Sequence, residues 1–344
     1  MNSICQLYLP SVMIFNMKSG KKILVSGIQP TGRPHIGNYF GAMKQMIDLQ
    51  DEHDCHIFIA DLHALTGVND PAQLSQNTLD LAIDYLAIGL DPKKVTIYKQ
   101  SDIPQTAELA WIFNCITTMP YLMRAHAFKD AEAKNHEINV GVFDYPLLMS
   151  ADILLPEADV VPVGADQKQH IEIARDTAEK FNRLFGETFK MPEALIVKDV
   201  MTVPGTDGQK MSKSYGNTIG LFASDDEIVK AVMKIPTDSK GVDEPKNPDE
   251  CKVFALHKLF ASADELADIR ARYEKGGLGY KESKEILARN ISAFITPLRT
   301  KREKIAQDTE FIMDILKDGG KKMHMHAEKK MGEIRAKVGL AFKQ

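Results

Sequence analysis

The sequence has little cysteine, a single tryptophan and no apolar run long enough to cross a membrane. Its four cysteines, Cys5, Cys55, Cys115 and Cys251, are scattered without a C-x-x-C pair. That spacing argues against a disulfide framework and against a cysteine-ligated zinc or iron–sulfur site, and it fits a reducing compartment. No stretch approaches the roughly 20 apolar residues of a membrane helix. Neither sign of charge dominates: 43 Lys and Arg against 47 Asp and Glu leave a net charge of −4. Such a balance argues against a protein that coats nucleic acid non-specifically, although a local basic face still suffices for phosphate contacts. The first sixteen residues are mildly apolar but carry no basic residue ahead of the apolar stretch. They read as a disordered extension, or as an upstream start, rather than a signal peptide. The expectation is a cytoplasmic protein with no membrane partner.

What is present is ordinary globular text: 344 residues, 44% hydrophobic and 26% charged. That length predicts a large domain plus a smaller one. Lys22–Ser26 (KILVS) reads as a buried parallel strand, followed by the non-helical turn Gln29-Pro30-Thr31-Gly32-Arg33-Pro34 and a helix over Tyr39 to Gln50. Strand, Gly/Pro loop and helix open a doubly wound nucleotide-binding fold. The alternation continues through strands at His56–Ala60, Val95–Tyr98 and Val160–Val163. Helices are expected from Asp70 onward, at Ala107–Asn114, at Tyr145–Leu155 and at Gln167–Phe185. Beyond Ser214 the pattern turns helical: Ile235–Glu250 reads as an exposed loop, Pro297 should kink or interrupt a helix, and Gly319-Gly320 reads as a stop before a basic amphipathic helix over Met323–Phe342. The expected fold is α/β, a Rossmann-like doubly wound parallel sheet with a smaller all-helical domain. Its parts are an extension at 1–16, a catalytic domain at 17–205, a mobile loop at 206–219, a helical domain at 220–318 and a C-terminal helix at 319–344 packed on the catalytic domain.

Two motifs carry chemistry. In Pro30–Asn38 (PTGRPHIGN), His35, Gly37 and Asn38 fall where a strand hands over to a helix. Free backbone N–H groups and the helix dipole favour phosphate there, and a glycine lets a nucleotide lie against bare backbone. The second is Lys210-Met211-Ser212-Lys213-Ser214, inside the loop Pro204–Asn217. Two lysines three apart, with hydroxyls between them and glycines on both sides, make a cationic loop able to close on a departing pyrophosphate.

Together these elements resemble the HIGH and KMSKS motifs of the class I aminoacyl-tRNA synthetases, with Asn38 in place of the last His. Ser26–Gly32, Gly37–Ala42, Asp144–Leu155 (DYPLLMSADILL) and Val161–Asn182 are similar to the tryptophan enzymes of that class. The resemblance covers residues 21–340. It implies an ATP site lined by Gln29, Pro30, Thr31, Gly37, Asn38, Gly164, Ala165, Asp166, Val203, Lys210, Met211, Ser212, Lys213 and Ser214. It implies a tryptophan site of Asp152, Met149, Tyr145, Gln167 and His63, with Asp152 receiving the indole N–H and Met149 packing on the ring.

The need for such an acceptor also follows from chemistry. An indole N–H only donates, so a closed pocket that lacks an acceptor strands it at a cost of about 1–3 kcal/mol. A carboxylate does not by itself reject tyrosine.

Both attacking groups, the amino-acid carboxylate and the tRNA ribose hydroxyl, belong to substrates. Catalysis is therefore expected from positioning and electrostatics through His35, Asn38, Lys210 and Lys213. No dedicated metal site is expected, with Mg²⁺ carried on the ATP phosphates. The resemblance further implies L-tryptophan, ATP and tRNA(Trp) as partners, an anticodon-reading helical domain and a homodimer. Arg124, His126 and Lys129 read as a polar helix face or as contacts to phosphate or the tRNA end. His324 and His326 are spaced wrongly for one helical face. Trp111 reads as a core or dimer-interface anchor. A tyrosine enzyme of the same class, a non-catalytic tRNA-binding paralogue and a small-molecule adenylyltransferase share parts of this pattern.

Overall fold

The computed structural model describes residues 20–125, 128–129, 132, 138–164, 168–196 and 203–341. The N-terminal extension at 1–16 lies outside them. Five strands, β1 (Ile23–Ile28), β2 (Asp54–Ile59), β3 (Thr96–Lys99), β4 (Val160–Val163) and β5 (Glu193–Ile196), pair in the order β3-β2-β1-β4-β5. Every pairing is parallel, with Ile23 opposite Asp54 and Leu24 opposite Val160. The chain leaves β1 to one side for β2 and β3, then returns to the other side for β4 and β5. That reversal between β1 and β4 is where an open α/β sheet binds its ligand, outside the carboxyl ends of the strands.

Neighbouring residues on a strand feed opposite faces, which is why these strands read as continuous apolar runs. Leu24, Ile57 and Ile97 join one core, and Val25, Phe58 and Tyr98 the other. β5 was not among the expected strands; EALI is too short and too mixed to stand out. The run after β1, residues 36–49, is helical throughout (α1), with its middle, Tyr39–Met43, wound as a π-helix. The next helices are α2 (Asp61–Ala64), α3 (Pro71–Ile88), α4 (Gln105–Ile116), α5 (Met119–Leu122), α6 (Val140–Leu154) and α7 (Lys168–Phe185). α6 begins five residues ahead of the expected Tyr145, because the Asn139 side chain accepts the Val142 N–H at 2.9 Å and caps it there.

The second half holds α8 (Asp225–Met233), α9 (Lys252–Phe260), α10 (Ala263–Lys275), α11 (Tyr280–Ile305) and α12 (Thr309–Val338). Ile228, Val253, Leu287 and Ile291 pack into the same core as Leu24 and Ile57, because α3 is apolar enough to be covered on both sides. In the loop expected at Ile235–Glu250, Lys246 is buried. Its ammonium donates to the Gly241 and Glu244 carbonyls at 2.6 and 3.0 Å.

The interruption allowed for at Pro297 and the stop expected at Gly319-Gly320 do not occur. α11 runs through Pro297, which is exposed together with Ala293, so the carbonyl left without a partner faces water. α12 runs through Gly319 and Gly320, across the boundary expected at 318/319. There glycine is an approach device rather than a stop: a Cβ on Gly319 would lie 1.9 Å from the Ile97 carbonyl oxygen. The helix is thereby laid on the edge strand β3 and covers it. Lys322 to Thr96 Oγ1 at 2.8 Å and Arg335 to Glu108 at 2.6 Å hold it down. No helix of the described residues is long and apolar enough to cross a membrane.

Candidate active site

A cavity of about 870 Å³ opens at the β1/β4 reversal. Gly27 and Gln29 reach it from the end of β1, and Val163 and Gly164 from the end of β4. Gly27 is needed there, since a Cβ would meet the Phe58 ring at 2.4 Å.

One rim is the start of α1. His35 has extended backbone (φ −111°, ψ 169°) and caps the helix. Its Nδ1 accepts the Asn38 N–H at 3.2 Å, while Asn38 Oδ1 accepts the His35 N–H at 3.0 Å. This is a reciprocal capping box built from His and Asn. Because Nδ1 is an acceptor, the ring proton sits on Nε2. Burial, and secondarily the charge of Lys213, lower the His35 pKa to about 4. The imidazole is therefore neutral at pH 7 and acts as a donor rather than a cation.

The opposite rim is the segment 203–221. Pro204 and Lys210 form an antiparallel bridge, and Met211 N–H donates to the Val203 carbonyl at 3.0 Å. Asn217, which sequence reasoning passed over, organises the loop. Its Oδ1 accepts the Ser212 N–H at 2.7 Å, and its Nδ2 donates to Asp207 at 2.8 Å and to the Lys210 carbonyl at 3.1 Å. That bond to Asn217 is the main force holding the Asp207 carboxyl below the usual range. Gly216 in left-handed backbone (φ +63°) just ahead of an asparagine was the available signal. The segment then stitches onto the first rim: Ile36 N–H donates to the Ile219 carbonyl, and Leu221 N–H to Pro34, both at 3.0 Å.

Gly37 joins the two rims. A Cβ there would meet the His35 ring at 2.8 Å and Met211 Cβ at 3.2 Å. The space a side chain would need at Gly37 is thus filled by His35 and Met211, while the residue itself still lines the cavity. Lys213 donates to the carbonyls of Thr31 and Gly32 at 3.1 and 2.9 Å. Burial lowers its ammonium pKa, and the charge of Asp84 opposes that shift.

Asp152, on α6 and 6% exposed, also faces the cavity. His63 Nε2 lies 2.8 Å from its Oδ2, and Gln100 Nε2 donates to both carboxylate oxygens at 2.8 and 2.9 Å. Gln100 in turn accepts the Leu62 and His63 N–H groups at 3.1 and 3.3 Å, which fixes it. Burial raises the Asp152 carboxyl, and the bonds from His63 and Gln100 act against that rise. A carboxylate has about four acceptor sites, so these three bonds leave room for one more donor. The Tyr145 ring stands edge-on to His63 at 6.2 Å and next to His170 at 5.7 Å. Gln100 and His170 were missed: a Gln at a strand end and a His on an amphipathic helix look like ordinary polar residues.

The cavity thus brings together Gln29, Gly37, Asn38, His63, Tyr145, Met149, Asp152, Gly164, Val203, Lys210 and Met211. Pro30, Thr31, His35, Ser212, Lys213 and Ser214 are not part of this lining. Ala165, Asp166, Gln167 and His126 lie outside the described residues. Arg124 and Lys129 are exposed away from the cavity, with the Arg124 guanidinium over the Tyr121 ring. Trp111 is 69% exposed, so it is not a core residue.

Residues 17–296 match the family model for class I tRNA synthetases (W and Y). The chain is 47% identical over 317 residues to a tryptophan–tRNA ligase of Rhodopirellula baltica, covering 92% of this chain and 99% of that one. It is 47% identical to the tryptophan–tRNA ligase of Fusobacterium nucleatum, covering 92% and 97%. A solved tryptophanyl-tRNA synthetase of Campylobacter jejuni, complexed with ADP and tryptophan, superposes with a TM-score of 0.86 at 43% identity, covering 92% and 99%.

Proposed function

The chain belongs to the class I tRNA synthetases of the tryptophan and tyrosine group, and we infer that it is a tryptophan–tRNA ligase, activating L-tryptophan with ATP and passing it to tRNA(Trp). One observation carries the residue-level reading: a single cavity joins buried Asp152 to Asn38 and Lys210 at the sheet's reversal point. The amino-acid pocket and the two phosphate-binding motifs therefore share one space.

The tryptophan carboxylate attacks the α-phosphorus of ATP, which arrives with Mg²⁺ on its phosphates, and pyrophosphate leaves. Asp152, oriented by His63 and Gln100, accepts the indole N–H, and Met149 packs on the ring. His35 donates from Nε2 as a neutral imidazole. Lys210 and Lys213 stabilise the charge that builds on the departing pyrophosphate. The terminal ribose hydroxyl of the tRNA then attacks the acyl carbon and releases AMP.

Residues 206–219 act as the closing loop, and α8–α11 read the anticodon, whose splayed bases need stacking partners and basic heads. The protein works in the cytoplasm as a homodimer. Exposed Trp111 and Leu65, beside a hollow of about 450 Å³ that they line with Ala110 and Leu148, support a second copy seating on that face. Charging of tRNA(Trp) with labelled tryptophan tests the whole reading. Adenylate formation without transfer to any tRNA would reduce it to an adenylating enzyme.

A further inference from the structure

The turn at the tip of the closing loop is held by a residue that belongs to neither motif. Gly205 N–H donates to the Gln209 carbonyl at 2.6 Å and Gly208 N–H to the Gly205 carbonyl at 2.9 Å, so residues 205–209 form a tight hairpin. Lys210, which follows it, lines the cavity. Asp207 sits at the tip. Its carboxylate accepts from Asn217 at 2.8 Å, within the loop, and its backbone carbonyl accepts from the Lys252 ammonium at 2.7 Å. Lys252 is the first residue of α9, in the helical half of the chain.

The contact is more than one bond. Gly208 has left-handed backbone (φ +85°), and a Cβ there would lie 2.4 to 2.9 Å from Cε, Cδ and Cγ of Lys252. The lysine stem therefore lies across a glycine that leaves room for it, with its ammonium on the carbonyl just before. An exposed lysine is ordinarily free to rotate, and fixing it costs entropy. Here stem and head are seated together on one turn.

We propose that Lys252 is a positioning residue: it latches the 205–209 turn to α9 and so holds Lys210 at the cavity wall. The loop that closes on pyrophosphate thereby takes its seat from the helical half. The kinetic part of this inference rests on the ligase reading; the seating of the turn does not.

Three variants of the full chain separate the parts of the latch. Lys252→Met keeps the stem and removes the donor, and Lys252→Arg keeps a donor. Gly208→Asn fills the space of the stem with a residue that tolerates left-handed backbone. Each is compared with wild type in tryptophan-dependent ATP–pyrophosphate exchange and in amide hydrogen exchange read by mass spectrometry. Lys252→Met should lower kcat/KM for ATP roughly 2- to 12-fold, the range one hydrogen bond sets, with KM for tryptophan unchanged. Amides of residues 205–211 should exchange faster by a similar factor, while those of α9 keep their wild-type rates. Gly208→Asn should reproduce both effects, and joining it to Lys252→Met should add little, since both release one contact. Lys252→Arg should restore most of the rate. Lys258→Met removes a neighbouring charge from the same helix and should change nothing. Equal losses for ATP and tryptophan, additive losses in the double variant, a matching loss with Lys258→Met, or unaltered amide exchange at 205–211 overturn the proposal. A wild type that catalyses pyrophosphate exchange with no amino acid would overturn the ligase reading instead, while the amide rates still decide the latch.

Discussion

His63 Nε2 and Asp152 Oδ2 lie 2.8 Å apart at the cavity wall, and Gln100 bridges both oxygens of the same carboxylate. The acid is thereby fixed in orientation with one acceptor site left over. Asp152→Ala should impair tryptophan use selectively, by roughly 5- to 150-fold in kcat/KM, the equivalent of about 1–3 kcal/mol for a stranded indole donor. KM for ATP should barely move. Unchanged tryptophan affinity by calorimetry would remove Asp152 from the pocket's chemistry.

Lys213 rests on two backbone carbonyls rather than on a carboxylate, which suits a group that must move to charge appearing on phosphate. Lys213→Ala should lower the rate of adenylate formation by about 10²–10³-fold, the usual loss for one transition-state donor, with far less effect on tryptophan binding. Single-turnover rates beside equilibrium affinity separate the two, and equal losses would contradict the loop's role.

The same substitution should have opposite signs at two points of α12. Gly319→Ala places a methyl 1.9 Å from the Ile97 carbonyl oxygen and should destabilise by about 1–3 kcal/mol or more. Gly332→Ala meets nothing within 4 Å and should stabilise by roughly 0.5–1 kcal/mol through helix propensity. Urea midpoints of the two variants check this directly.

An unfolded histidine titrates near 6.5, and His35 in the native chain near 4. Between those values the unfolded chain binds more protons, so His35 costs stability progressively as pH falls from 6.5 towards 4. His35→Asn keeps a side-chain acceptor for the Asn38 N–H but does not titrate. Wild type should therefore lose more stability than this variant between pH 7 and pH 4.5. Asp84, raised to about 6 and acting in the opposite sense, is present in both and cancels. Parallel stability curves would show that the imidazole is not held neutral.

The α/β alternation was legible because parallel strands are short apolar runs bounded by Gly and Pro, and the motifs at 30–38 and 210–214 stood out because their residue types are unusual in combination. The failures share a cause. Gly319-Gly320 and Pro297 carry local signals for breaking a helix, and each was overruled by something distant or by solvent: the carbonyl of Ile97 in one case, an exposed helix face in the other. Gln100, His170 and Asn217 matter through partners 52, 25 and 5 positions away (Asp152, Tyr145 and Ser212), and no local pattern marks such pairings. His35 and Asn38 were read for phosphate, but that they cap each other was not legible.

The most direct test of the account is amino-acid-dependent ATP–pyrophosphate exchange across all twenty amino acids. The account predicts exchange with tryptophan, with tyrosine far behind it and phenylalanine inert, because Asp152 demands a donor and the relatives at 47% identity are tryptophan–tRNA ligases. Exchange with tyrosine but not tryptophan would contradict it.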